Sequence, residues 1–204
     1  MKLFKKFPLF QFISFLFSYR RGGGMKKLLL LSSLVLTTLV WGQEKYVIDN
    51  LVDEKAQWVM FGDDVMGGLS KGKLSELKEE EISFYRLEGD VSTANNGGFI
   101  QFRTSVNLQG TTYEGIRIKV RGNNNKYFIH LRTGATVFPW DYYDISFEAS
   151  DEWQNINLPF SKFKKSRRLL PSKVNSSRIK SIGLVAYGKD FEAELDLALS
   201  LIHI

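Results

Sequence analysis

The 204-residue chain contains no cysteine. Disulfides, thiolate-bound metals and thiol nucleophiles are therefore excluded by composition alone. Histidine is nearly as scarce: His130 and His203 are the only two, too few for a multi-histidine centre. Only four prolines occur in a chain that is 44% hydrophobic and 14% aromatic, which excludes wholesale disorder. Residues 1–42 lack acids altogether and hold seven Lys/Arg, so the net charge of +6 belongs to this leader. Residues 43–204 carry the other 21 bases against all 22 acids and are close to neutral. A nucleic-acid partner loses its electrostatic basis there.

The leader reads as an address. Met25-Lys26-Lys27 is followed by an apolar stretch from Leu28 to Trp41, with Val40 and Gly42 in the small-residue places before a polar junction. This is the pattern of a secretory signal peptide over 25–42, and the apolar stretch is shorter than the ~20 residues of a spanning helix. No cysteine follows it for a lipid anchor. Residues 1–24 end in Arg20-Arg21-Gly22-Gly23-Gly24 directly before Met25, which suggests a translated ribosome-binding site. We therefore expect 1–24 to be a mis-assigned upstream extension. The mature chain is then exported, periplasmic or extracellular, with no membrane span once the signal is cleaved.

Beyond Gln43 the hydrophobic period is two. Ile116, Ile118 and Val120 alternate with Arg117, Lys119 and Arg121, so one face seeks a core and the other water. Gly122 to Asn125 then makes a turn, and Lys126 to Thr133 is expected to return as the hairpin partner. Phe191 to Leu201 alternates for eleven residues, placing Phe191, Ala193, Leu195, Leu197, Leu199 and Leu201 on one side. Further strands are expected at 56–61, 73–77, 82–88, 98–106, 143–149, 153–158 and 179–187. About ten antiparallel strands, at most one short helix near Pro159 to Phe163, and turn-rich links predict one all-β domain over 43–204, a sandwich or jelly roll.

Several motifs invite chemistry. Gly68-Leu69-Ser70-Lys71-Gly72 matches the G-x-S-x-G serine-hydrolase elbow, but that elbow needs a helix after the serine, and a strand is expected here. Asp63-Asp64 beside two glycines offers two carboxylates, short of the 6–8 oxygens that calcium takes, and reads better as a turn whose aspartates cap amides. No metal and no cofactor are expected. Asn95-Asn96-Gly97-Gly98 is a second tight turn, either a plain hairpin or part of a loop cluster at one end of the sandwich. Phe138-Pro139-Trp140-Asp141-Tyr142-Tyr143 places aromatics in a loop, where they either stack on a sugar or peptide or fold back over an open end. Lys162 to Arg168 carries five positive charges and reads as a solvated loop, with anionic lipid or polysaccharide as the fitting partner. His130 shares a strand face with Phe128 and Arg132 and reads as a satisfied or surface residue. Asn175-Ser176-Ser177 matches the glycosylation triplet, which has no meaning in a bacterial host.

Together these motifs resemble a known family. Trp58 with Asp63-Asp64-Val65-Met66-Gly67-Gly68-Leu69-Ser70 is similar to the opening signature of the complex I intermediate-associated protein 30 family. Asn95 to Phe99 with Arg103, Tyr113 to Gly122, Tyr127 to Thr133, Trp153 with Leu158 to Phe163, and Ile182-Gly183-Leu184 resemble its later blocks in order. The resemblance implies a galactose-binding-like jelly-roll β-sandwich. It also implies a non-enzymatic role, since the mitochondrial members act as assembly factors that bind intermediates of respiratory complex I. Trp58, Met66, Gly67, Gly68, Gly97 and Gly98 become structural signature residues. Asp63, Asp64, Asn95, Asn96, Trp140, Asp141 and Tyr142 become the candidate ligand-binding set. The expected partner is a protein client in the cell envelope, handled in the manner of a chaperone or assembly factor. The alternative is a polysaccharide held by a carbohydrate-binding module on the loop aromatics.

Overall fold

The computed structural model describes residues 45–108 and 112–203. The readings of 1–24 and 25–42 lie outside the described residues. Twelve strands form two antiparallel sheets: β1 Lys45–Asp49, β2 Val59–Gly62, β3 Lys71–Glu79, β4 Ile82–Val91, β5 Phe99–Ser105, β6 Gly115–Gly122, β7 Asn125–Thr133, β8 Tyr143–Ala149, β9 Gln154–Pro159, β10 Lys164–Lys165, β11 Ile179–Tyr187 and β12 Phe191–His203. The first sheet runs β3-β4-β12-β6-β9, with β1 also on β12; the second runs β10-β8-β7-β11-β5-β2. The expected short helix is a 3₁₀ turn, Phe160–Lys162.

The two sheets face each other across a core built by period two. Ile116, Ile118 and Val120 of β6 oppose Tyr127, Ile129 and Leu131 of β7, and Phe102, Ile182, Leu184, Leu87 and Leu195 fill the layer between; all of these are fully buried. Each such aliphatic side chain contributes about 1.5–3 kcal/mol by leaving water. The Tyr127 hydroxyl bridges the sheets, accepting from the Glu194 amide at 3.0 Å and donating to Asn123 Oδ1 at 2.6 Å.

Two expectations from the alternation fail. Strands β6 and β7 do not pair as a hairpin: β6 lies between β12 and β9, and β7 between β11 and β8. The link at Asn123-Asn124, with Asn124 at φ 60°, steps from one sheet to the other. The reason is non-local, because both edges of β6 are occupied by strands from far along the chain. The face of β12 also changes part-way. A bulge between Leu197 and Leu199 brings Leu199 opposite Lys119, on the outward face, and breaks the eleven-residue alternation.

The outward face of the first sheet is closed by its own side chains. Asp196, 1% exposed, accepts from Arg86 Nε at 2.7 Å and Nη2 at 2.8 Å, and from Arg121 Nε at 2.7 Å. Arg121 also pairs with Glu79 and lies 5.1 Å over the Phe84 ring and 4.8 Å over that of Trp153. Arg86 and Arg121 thus have carboxylate partners and aromatic cover, while Arg117, farther along the same face of β6, donates to the neutral Asn157 Oδ1 at 2.7 Å.

Candidate functional site

The signature loops converge on one carboxylate. Asp63 is completely buried at the start of a 3₁₀ turn, Asp63–Met66. Its Oδ1 accepts from the Ser70 amide at 2.9 Å, and its Oδ2 from Ser70 Oγ at 2.5 Å, the Gly98 amide at 2.5 Å and the Phe99 amide at 3.2 Å. Burial alone would raise this carboxyl, but the Ser70, Gly98 and Phe99 donors outweigh it and hold the pKa below the ordinary carboxylate value. Gly68 and Gly97 are required by the close approach: a Cβ would stand 2.3 Å from Asp63 Cγ at the first and 2.4 Å from Asp63 Oδ2 at the second. Oδ1 of Asp63 therefore closes the Gly62–Ser70 segment on itself, and Oδ2 fastens that segment to the Asn95–Phe99 segment. Asn95 and Asn96 sit exposed with φ of 56° and 58°. Asp64 is exposed, as are Val65, Met66 and Leu69, so Met66 presents its side chain to solvent rather than to the core. Ser70 is buried; its Oγ donates to Asp63 and accepts from the Ser92 amide at 2.9 Å, and strand β3 follows it. Trp58 packs 4.9 Å from Phe102 and donates Nε1 to Asp49 at 2.8 Å.

The aromatic loop lies at the other end of the second sheet. The register puts Tyr187 beside Phe99 at the signature-loop end and Ile179 beside Thr133 at the far end, where the 134–142 loop leaves β7. The structure thus brings Asp63, Asp64, Asn95 and Asn96 together and keeps Trp140, Asp141 and Tyr142 apart from them. Asp141 is buried, and its Oδ2 accepts from the Val137 and Phe138 amides at 3.2 and 3.0 Å, bracing the loop. The rings of Phe138 and Trp140 stack 5.3 Å apart, and both are more than half exposed. Tyr142 turns inward over the sheet.

There it joins a surface that the sequence reading passed over. The outward face of the second sheet carries a row across five strands: Asp144, His130, Gly183, Arg103 and Val59. The adjoining row is Ser146, Phe128, Val185, Gln101 and Phe61. Tyr142 stacks on His130 at 4.1 Å, and Tyr187 meets the edges of Phe128 at 5.8 Å and of His130 at 6.2 Å. Arg103 lies 4.6 Å over the Phe61 ring. Val185, although on the outward face, is completely buried beneath these neighbours. Burial pushes the His130 imidazole down to about 4, so it is neutral at pH 7, and raises the Asp144 carboxyl against the pull of Lys164. The Tyr142 phenol is raised by burial and then by Tyr187 and Asp144. The face is therefore recessed and partly dry, with flat rings beside hydrogen-bonding groups. The signal for it was present in β7, where Phe128, His130 and Arg132 occupy the side that a merely solvated strand fills with small polar residues. Beside β2 and β5 a cleft of about 490 Å³ opens, lined by Tyr46, Glu54, Gln57, Phe61 and Arg103 among others. Among the described residues no three His, Asp or Glu side chains converge where a metal ion could sit.

The sequence profile described as Complex I intermediate-associated protein 30 (CIA30) matches residues 49–199. The chain belongs to the CIA30 family. The matched span begins at Asp49, which anchors Trp58, and contains both loops that Asp63 joins. No curated protein matches the chain. Among solved structures, the family 11 carbohydrate-binding module from Clostridium thermocellum in complex with a β-1,3-1,4-mixed-linked tetrasaccharide has a TM-score of 0.63 at 13% identity, covering 78% of this chain and 94% of its own. The family 11 module of the cellulosomal cellulase Lic26A-Cel5E of the same organism also reaches 0.63, at 14% identity, covering 80% and 96%. The family 30 module of the cellulosomal cellulase Cel9D-Cel44B, again of that organism, reaches 0.53 at 10% identity, covering 78% and 96%. These likenesses establish that this CIA30 domain has the jelly-roll sandwich fold that carbohydrate-binding modules use.

Proposed function

We propose that this CIA30 domain is a non-catalytic binding module of the cell envelope, and that it takes a polysaccharide chain across the outward face of its second sheet. The supporting observation is the Tyr142–His130 stack set beside Phe128, Tyr187, Gln101, Asp144 and Arg103. Pyranose rings offer apolar faces to flat side chains and a rim of hydroxyls to polar ones, and this surface supplies both. The similar solved structures include modules named for carbohydrate binding, and the leader of 25–42 supports export. Binding rather than turnover fits the engaged state of Ser70 and Asp63.

The test is affinity electrophoresis and calorimetry of the purified chain against soluble polysaccharides, with Tyr142→Ala alongside. Retardation by at least one glycan, weakened in the variant at unchanged thermal stability, supports the reading. No retardation by any glycan overturns it.

A second reading is a protein client, as the family's name suggests. It is favoured by one observation: Val65, Met66 and Leu69 form an exposed apolar tip on a loop that the Asp63 hydrogen bonds hold rigid. Met66→Asp in a tagged chain, followed by cross-linking in intact envelopes, separates the two. Loss of a cross-linked protein in that variant, with glycan binding absent, selects the client.

A further inference from the structure

Arg86 and Arg121 of the first sheet and Arg103 of the second are treated differently, and Arg117 of the first sheet at least has Asn157 Oδ1 as an acceptor. On the first sheet Arg86 and Arg121 share the buried carboxylate of Asp196 and reach Glu194 and Glu79 as well. On the second sheet Arg103 has no such partner. Its guanidinium rests on Phe61, and among the described residues it forms no ion pair and no side-chain hydrogen bond. Glu54 lines the same cleft but is not within ion-pair distance. Burial, and then the charge of Arg132, lower the Arg103 pKa, so the cation is partly dehydrated and faces a like charge.

Its surroundings reinforce the sign. Arg132 lies on the same face and, among the described residues, donates only to the neutral carbonyls of Thr136 and Phe138. Arg167 stands 5.9 Å over the Trp140 ring and, among the described residues, likewise has no carboxylate within ion-pair distance. The two acids of the face stand opposite lysines in the strand register, Asp144 opposite Lys164 and Glu148 opposite Lys126. His130 adds no charge at pH 7. Between His130 and Arg103 the row holds Gly183, over which the Gln101 side-chain oxygen lies, 3.1 Å from where a Cβ would stand, as a neutral polar group beside the guanidinium.

We infer that the face binds an acidic polysaccharide, with a uronate carboxylate received by the unpaired Arg103 and the sugar ring seated against His130 and Tyr142. This rests on the polysaccharide reading above and names its ligand class. A planar guanidinium fork matches a carboxylate in two parallel hydrogen bonds, and a partly dehydrated cation gains most from such a partner. A neutral glycan would leave Arg103 dehydrated and unmatched, which disfavours it.

The test uses the whole purified chain and four soluble polymers: polygalacturonate, its fully methyl-esterified form, alginate and a neutral mixed-linked β-glucan. The expected result is binding of polygalacturonate or alginate and, for polygalacturonate, a loss of about tenfold on esterification and a similar loss in Arg103→Gln. Arg103→Lys keeps the charge without the fork and falls between. If Arg103→Gln does not fold, the comparison of wild type on the acid and on its ester decides. Equal or tighter binding of the ester or the neutral glucan overturns the inference while leaving polysaccharide binding in place. Polyuronate binding that Arg103→Gln leaves unchanged also overturns it and moves the contact to the Lys162–Arg168 segment. Binding of no polymer overturns both.

Discussion

The ring of Tyr142 lies flat on the imidazole of His130, with centroids 4.1 Å apart and planes within 11° of parallel. One residue comes from a loop and the other from the middle of β7, and only folding places them together. The stack covers His130 on one side while Phe128 and Tyr187 cover its edges. A base so enclosed resists protonation.

That gives a pH dependence with a definite sign. The folded His130 titrates near 4 instead of 6.5, so the unfolded chain takes up its proton first as pH falls. The contribution is intact above about 6.5 and is lost progressively down to about 4, to a total of roughly 2 kcal/mol once partial solvation is allowed for. Urea unfolding of wild type and His130→Gln between pH 7.5 and 4 should show the shallower decline in the variant. Parallel declines would mean that His130 is solvated in the native state.

Asp63 should behave as a fastening rather than a ligand. Asp63→Ala leaves the amides of Ser70, Gly98 and Phe99 without their acceptor, and a loss of about 3 kcal/mol is expected. Asp63→Asn keeps one acceptor oxygen and should cost about half as much. Because the folded pKa is lowered, the stabilisation is complete above the ordinary carboxylate value and disappears as pH falls through the folded one. Chemical denaturation reads the size, and amide exchange at Gly98 reads the place.

The Arg86–Asp196–Arg121 group makes a separate prediction. Asp196→Ala strands two cations against the first sheet and should destabilise by about 3 kcal/mol, whereas Lys73→Ala, at an exposed pair with Glu88, should stay within about 0.5 kcal/mol. Both are measured by urea unfolding at pH 7. A small effect for Asp196 would show that the arginines find Glu79 and Glu194 sufficient.

The exposed pair Phe138–Trp140 separates rim from groove. Trp140→Ala removes a ring that is 52% exposed and should leave thermal stability unchanged. If a glycan reaches the rim, its affinity falls about five- to tenfold, the effect of losing one stacking ring. If the ligand is confined to the groove, Tyr142→Ala alone weakens binding. Calorimetry on both variants distinguishes the two.

The sequence by itself determined the sandwich, most of its strands and the tight loops. Period-two alternation states which residues must leave water, and glycine and asparagine state where the backbone takes positive φ, as at Asn95, Asn96 and Gly98. Both are local properties. It also marked the Asp63 and Asn95–Gly98 segments, though not that one carboxylate ties them together. What only the tertiary structure decided was partnership. Strand β6 looks ready to pair with β7 until β12 and β9 occupy both its edges, and β12 alternates cleanly until the bulge at Ala198 turns Leu199 outward. The outward face of the second sheet was of the same kind. Phe61, Arg103, His130, Tyr142 and Tyr187 come from five separate segments, and each alone reads as an ordinary surface residue. Their proximity depends on strand order, which is set by long-range pairing and core packing rather than by any short window of the chain. The same pairing gave Asp196 to Arg86 and Arg121 on one sheet and left Arg103 on the other with an aromatic ring and no acid.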